Sequence, residues 1–141
     1  MNQISQTVNF FLTIAKFQTE LTRRMDSSLN GISLNEFIIL FHLSQSSDSK
    51  MRRIDLANKL GLTASGITRL LLPMEKIGLV SREANSQDAR VSYVVLARGG
   101  QTKLTEGLER MEFFAEEVIM PSKLKKLEEV SKFLSDIGKN I

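Results

Sequence analysis

The chain has 141 residues, 42% of them hydrophobic and 25% charged, a formal net charge of +3 and no cysteine. That length suits a single domain spanning 1–141, able to bury about two-thirds of its unfolded surface. The missing cysteines exclude disulfides, thiolate zinc sites and thiol redox switches. No apolar run approaches the roughly 20 residues that a membrane-spanning helix needs. The opening Met1-Asn2-Gln3-Ile4-Ser5 has neither the basic nor the apolar region of a secretory leader. A cytoplasmic protein with no membrane partner is therefore expected.

From Ile4 onward, Val8, Phe11, Ile14, Phe17, Leu21 and Met25 recur at intervals of three and four, which predicts an amphipathic helix of about six turns. Asn30-Gly31 is its stop signal. Leu34 to Gln45 form the next helix, with Phe37, Ile38, Leu40, Phe41 and Leu43 apolar on more than one side, as expected of a helix central to a core. Ser44 to Lys50 read as a polar loop, and Met51-Arg52-Arg53 as extended or as the entry to the following helix. Asp55 to Leu62 carry apolar residues at helical spacing and stop at Gly61. Thr63 stands where an N-cap would open another helix. Pro73 inside that helix removes the bond to the Arg69 carbonyl and predicts a bend or a loosening there.

Val80 to Glu83 and Val91 to Leu96 are β-branched or alternating, with the polar stretch Ala84 to Arg90 between them, so they predict a hairpin. Gly99-Gly100 then break the pattern, and a long helix is expected from near Gln101. Leu104, Leu108, Met111, Ala115 and Val118 form its stripe, with Phe113, Phe114 and Ile119 beside it. Pro121 opens a last helix at a position where its missing N–H costs nothing. Leu127, Val130, Leu134, Ile137 and Ile141 are spaced like a coiled-coil seam.

Two helices joined by a short turn and followed by a hairpin make a winged helix-turn-helix over 34–100, a mainly α fold with a small β-hairpin wing. Such a unit can lay its second helix in a DNA major groove. The flanking helical segments, 1–30 and 101–141, carry more apolar surface than a small DNA-binding domain needs. They are expected to pack together and against a second copy, as dimerisation helices of a homodimer.

Charge is unevenly placed. Residues 50–103 hold ten Lys or Arg against four acids, a net +6, which leaves −3 for the rest of the chain. The basic excess falls on the winged unit, where phosphate contact would need it. Within the recognition helix Ile67, Leu70 and Leu71 recur at three and four and face the core. Ser65, Thr68 and Arg69 point outward near the end that meets base edges. The Arg69 fork matches guanine O6 and N7. Ser65 and Thr68 are short donors for bases or phosphates, and Gly66 lets a duplex approach closely. Arg90 can enter a minor groove. Asp88 would repel phosphate but can hold the Arg90 guanidinium. Arg82 and Gln87 are further phosphate candidates. The plain alternative is that these are solvated surface groups and an ordinary ion pair.

Several of these pieces also match a known family. Leu62-Thr63-Ala64-Ser65-Gly66-Ile67-Thr68-Arg69 matches its turn and recognition-helix start. Met74-Glu75-Lys76-Ile77-Gly78-Leu79-Val80 matches its "L-E-x-x-G-L-V" exit. Asp88-Ala89-Arg90 matches its "D-x-R" wing, and Val91 to Leu96 the strand after it. In this order and spacing, sharpest over 60–96, the chain resembles the MarR family of transcriptional regulators. The resemblance implies a homodimer with intertwined terminal helices, a pseudo-palindromic site in double-stranded DNA, and a wing pair that serves DNA binding. Two departures stand out: Pro73 inside the recognition helix, and Leu96-Ala97-Arg98-Gly99-Gly100 where the family often has "L-T-x-x-G". Ala97 cannot cap the next helix as Thr would, a loss of about 1 kcal/mol.

Enzymatic readings find no support. His42 is the only histidine and lies in the apolar second helix, where a core or interface role is the simplest. There is no metal-ligand spacing, phosphate-binding glycine loop or nucleophile elbow. Glu116-Glu117 and Glu128-Glu129 read as solvated helix faces. No cofactor is expected. The reading is a sequence-specific DNA-binding regulator, a repressor rather than an activator because occluding the polymerase site suffices. A small apolar or aromatic ligand between the winged unit and the dimerisation helices would relieve it. Phe10, Phe11, Phe17, Phe37 and Phe41 are candidate lining residues, although core packing explains them equally well. The alternative is a winged-helix protein-interaction module without DNA binding, against which the basic face with Arg69 and Arg90 argues.

Overall fold

A computed structural model describes residues 3–141. The reading of Met1 and Asn2 as no part of a leader lies outside them. The chain divides into two compact units, 1–108 and 109–141.

In the first unit, α1 (Gln6–Ser28) starts behind Ser5, whose hydroxyl accepts the Val8 N–H at 3.1 Å. It ends just before Asn30 and Gly31, which take left-handed φ values of 56° and 99°. Of its residues only Met25 is buried, so most of the apolar stripe faces outward. A capping box opens α2 (Leu34–Gln45): Ser33 Oγ accepts the Glu36 N–H at 3.1 Å, and Glu36 Oε1 accepts the Ser33 N–H at 2.8 Å. The helix is central as expected, burying Leu34, Phe37, Ile39, Leu40 and Leu43. Ile39 rather than Ile38 faces fully inward, and Phe41 is exposed.

A turn of 3-10 helix over Ser47–Ser49 leads into β1 (Lys50–Arg52), which passes directly into α3 (Arg53–Leu60). Both readings of Met51-Arg52-Arg53 therefore hold. α3 stops at Gly61, whose φ of 71° needs a residue without a Cβ. Thr63 then caps α4 (Ala64–Lys76), its hydroxyl accepting the Gly66 N–H at 3.1 Å. The helix continues through Pro73 to Lys76, with Ile67, Leu71 and Met74 buried. Only the last turn lies beyond the proline, and the lost bond to the Arg69 carbonyl does not end the helix.

β2 (Val80–Ala84) and β3 (Ser92–Leu96) form the expected hairpin, Val80 opposite Leu96 and Ala84 opposite Ser92. β3 also pairs with β1, Lys50 opposite Val95 and Arg52 opposite Tyr93, so the sheet order is β1-β3-β2. The winged helix-turn-helix is thus present, with a third strand added to its wing.

α5 (Arg98–Val118) begins three residues before the expected Gln101. The Gln101 N–H already donates to the Ala97 carbonyl at 3.0 Å. Gly99 and Gly100 do not break the helix; they lie in its first turn. Gly100 is buried, and a Cβ there would run into the Leu79 carbonyl; at Gly99 a Cβ would stand 2.7 Å from the Gly78 oxygen. The pair is a close-approach seam against the chain entering β2. Further along, Gly107 packs on the Phe37 ring. Met25, Leu29, Ile39, Leu40, Leu43, Leu56, Ile67, Met74 and Leu104 are the fully buried centre.

In the second unit, Pro121 opens a turn of 3-10 helix, Pro121–Lys123, and α6 (Leu124–Gly138) starts behind it. α6 buries none of its residues: Leu127, Val130 and Phe133 are 38%, 45% and 53% exposed. A hollow of 240 Å³ lined by Ala115, Ile119, Pro121, Leu124 and Leu127 separates the end of α5 from α6.

Candidate nucleic-acid interface

The turn between α3 and α4 holds three residues, Gly61 to Thr63. The cap that starts α4 also organises its outward face. Thr63 Oγ1 lies 3.2 Å from Ser65 Oγ, so the exposed Ser65 hydroxyl is tied to the cap. A Cβ on Gly66 would stand 3.2 Å from Thr63 Oγ1. The glycine therefore fits tightly under the cap, a local reason for it beside any close approach of a duplex. One turn on, Thr68 Oγ1 donates to the Ala64 carbonyl at 3.0 Å and accepts from Arg53 Nη1 at 3.1 Å. Arg69 is exposed and makes no ion pair among the described residues. Ile67 and Leu71 face the core as expected, with Leu70 only half-buried.

The wing loop is held by a chain of short bonds. Asn85 Oδ1 accepts the Gln87 N–H at 2.8 Å, and Asn85 Nδ2 donates to the Tyr93 hydroxyl at 3.2 Å. The Asn85 N–H donates to the Val91 carbonyl, and the Val91 N–H to the Asp88 carbonyl, each at 3.0 Å. Asp88 Oδ1 then accepts from both the backbone and the Nε of Arg90. The Gln87 side chain is left at the exposed tip.

Below the wing, Lys50 Nζ donates to Glu83 at 3.0 Å and sits 4.8 Å above the Tyr93 ring, which ties all three strands together. The bond to Glu83 holds its ammonium pKa above the usual value. Arg52 makes a fork to Asp55, Nε to Oδ2 at 3.0 Å and Nη2 to Oδ1 at 3.3 Å, and that bond raises its pKa further. Arg82 Nε lies 3.1 Å and 3.0 Å from the two Glu75 carboxylate oxygens, linking β2 to α4.

Between the start of α4 and the wing lies an open groove of 350 Å³, lined in part by Arg52, Arg53, Ser65, Thr68, Arg90 and Val91. It brings Ser65 and Thr68 of the recognition helix together with Arg90 of the wing. Arg82 instead lines a narrow 10 Å³ cavity that also touches Arg53 and Thr68. Sequence reasoning counted Arg52 and Arg53 only as charge. Their place in the groove follows from β1 pairing with β3, a long-range contact with no local periodicity. Three arginines line this one groove, which suits a chain of phosphates.

Comparison with known proteins agrees with this geometry. A model described as the MarR family matches residues 32–92. The HTH-type transcriptional repressor YetL of Bacillus subtilis is 27% identical over 137 residues, covering 96% of this chain and 75% of that protein. The transcriptional regulator BldR of Sulfolobus solfataricus superposes with a TM-score of 0.85 at 28% identity, over 100% of both chains. A MarR variant from E. coli, solved in complex with operator DNA, shares the fold with a TM-score of 0.79 at 18% identity, over 95% of this chain and 99% of that one.

Proposed function

We propose that the chain is a transcriptional regulator of the MarR family that binds double-stranded DNA sequence-specifically as a homodimer and represses transcription. The observation that carries this reading is the arginine-lined groove between the recognition helix and the wing, with Arg69 exposed on the same helix. In this reading α4 enters a major groove, Arg69 takes guanine O6 and N7, and Arg90 enters the adjoining minor groove. Asp88 orients Arg90. Ser65 and Gly66 line the approach, and Arg82 and Gln87 stand near flanking phosphates.

The dimer is proposed from what the chain leaves uncovered. α6 is amphipathic yet buries nothing, and Val8, Phe11 and Phe17 of α1 are 46%, 49% and 56% exposed. Apolar surface of this extent marks an interaction face. A second copy is the partner that also gives a two-fold protein and hence a pseudo-palindromic operator. Sedimentation at micromolar concentration is expected to give twice 15.9 kDa.

Repression needs only that the bound dimer occlude the polymerase, and a small apolar or aromatic ligand is the proposed effector. Phe37 belongs to the core against Gly107, so Phe10, Phe11, Phe17 and Phe41 remain as its candidate contacts. No described helix is long and apolar enough to cross a membrane, and a cytoplasmic location is proposed. Selection of binding sites from random duplexes tests the whole reading. Inverted half-sites about 10 bp apart are expected. Recovery of no preferred duplex would overturn it.

A further inference from the structure

We propose that Arg53 is a phosphate contact of this chain and that Thr68, on the recognition helix, is its positioning residue rather than a DNA contact itself. The inference rests on the DNA-binding reading above. Arg53 is the first residue of α3, and its guanidinium crosses to α4, where Nη1 donates to Thr68 Oγ1 at 3.1 Å. A hydroxyl has one proton, and that of Thr68 goes to the Ala64 carbonyl at 3.0 Å. Thr68 therefore has only a lone pair left to offer, and a phosphate oxygen, which accepts but does not donate, cannot use it. What Thr68 can do is fix the direction of the guanidinium beside it.

The charge pattern singles out Arg53. Of the three arginines lining the groove, Arg52 is bound to Asp55 and Arg90 to Asp88. Arg53 is held by a neutral hydroxyl, and among the described residues no carboxylate pairs with it. Its full positive charge is therefore available to the groove, and four of its five N–H donors are uncommitted to Thr68. Nothing local favours an arginine there, since a cation in the first turn of a helix opposes the helix dipole. A phosphodiester backbone passing between α4 and the wing would meet this guanidinium already aimed at it, and the charge-assisted bonds would form without reordering a long side chain.

The test measures binding to the duplex recovered by site selection, over a series of salt concentrations, for the wild type, Arg53→Gln, Arg53→Lys, Thr68→Val, Thr68→Ser and the double variant Arg53→Gln with Thr68→Val. Loss of Arg53 is expected to lower the log–log salt slope by about one per protomer and to weaken selected and mismatched duplexes by the same factor. Arg53→Lys keeps the slope. Thr68→Val weakens binding in the wild type but adds nothing once Arg53 is gone, and Thr68→Ser retains wild-type binding. Equal weakening by Thr68→Val with and without Arg53 would overturn the assignment and make Thr68 a direct contact. An unchanged slope in Arg53→Gln, or a slope lost equally in Arg53→Lys, would overturn the phosphate role of Arg53. A wild-type protein for which no duplex is recovered would instead overturn the DNA-binding reading, and that result needs no variant.

Discussion

Asp88 Oδ1 accepts two hydrogen bonds from one residue, the backbone N–H of Arg90 at 3.0 Å and its Nε at 3.3 Å. With the Arg90 side chain 91% exposed, the pair contributes little to folding stability. Its consequence is directional: the same oxygen that turns the loop also sets where the guanidinium starts from.

Two accounts of Asp88 differ in sign. Removing an acid from a DNA-binding surface should tighten binding through long-range electrostatics alone. If Asp88 orients Arg90, Asp88→Ala binds more weakly despite the more favourable charge, with its melting temperature almost unchanged. Arg90→Ala is expected to weaken binding strongly and to lower the salt slope by about one unit. A titration of Asp88→Ala against the selected duplex decides, and tighter binding would leave Asp88 an ordinary surface acid.

Arg69 is expected to read a base. Arg69→Ala should cost about 1–3 kcal/mol and relax preference at one position in each half-site. Repeating the site selection with the variant checks this. A uniform loss across all duplexes would make Arg69 a phosphate contact instead.

Gly100 is expected to tolerate no side chain. Its Cβ would meet the Leu79 carbonyl, and also Leu96 Cδ1 at 2.8 Å and Leu40 Cδ2 at 3.0 Å. Gly100→Ala should destabilise the protein by about 1–3 kcal/mol through overpacking. Gly138 has nothing within 4 Å of the same position, so Gly138→Ala should cost nothing. Urea unfolding of the two variants compares them directly. Equal stability would mean that α5 can shift away from the chain entering β2.

Gly100 also shows where sequence reading stops. The helices, the Thr63 cap and the hairpin are written in spacings of two to four residues, and apart from the start of α5 they stand within a few residues of where those spacings put them. The glycine pair at the head of α5 gives the same local signal as a helix break, but its cause is a carbonyl some twenty residues back. The third strand is likewise three residues long and exists through its pairing with β3. In the candidate site, Ser65, Thr68 and Arg69 were legible from their helical face, and Asp88 and Arg90 from the wing motif. Arg53 was not, since its meaning lies in a bond to Thr68 across the turn.

His42 should leave a signature in the pH dependence of stability. Burial in α2, and secondarily the Lys59 charge, lower its pKa from the ordinary 6.5. The folded chain therefore resists the proton that the unfolded chain takes up near pH 6.5. Above that pH His42 is neutral in both states and costs nothing. Below it the unfolded state binds more protons, so stability falls with pH until the lowered folded-state pKa is passed. His42→Gln removes this component. Urea unfolding at about pH 7.5 and about pH 5.5 should show a larger loss on acidification for the wild type than for the variant. An equal loss in both proteins would mean that the imidazole is as readily protonated in the folded chain as in the unfolded one.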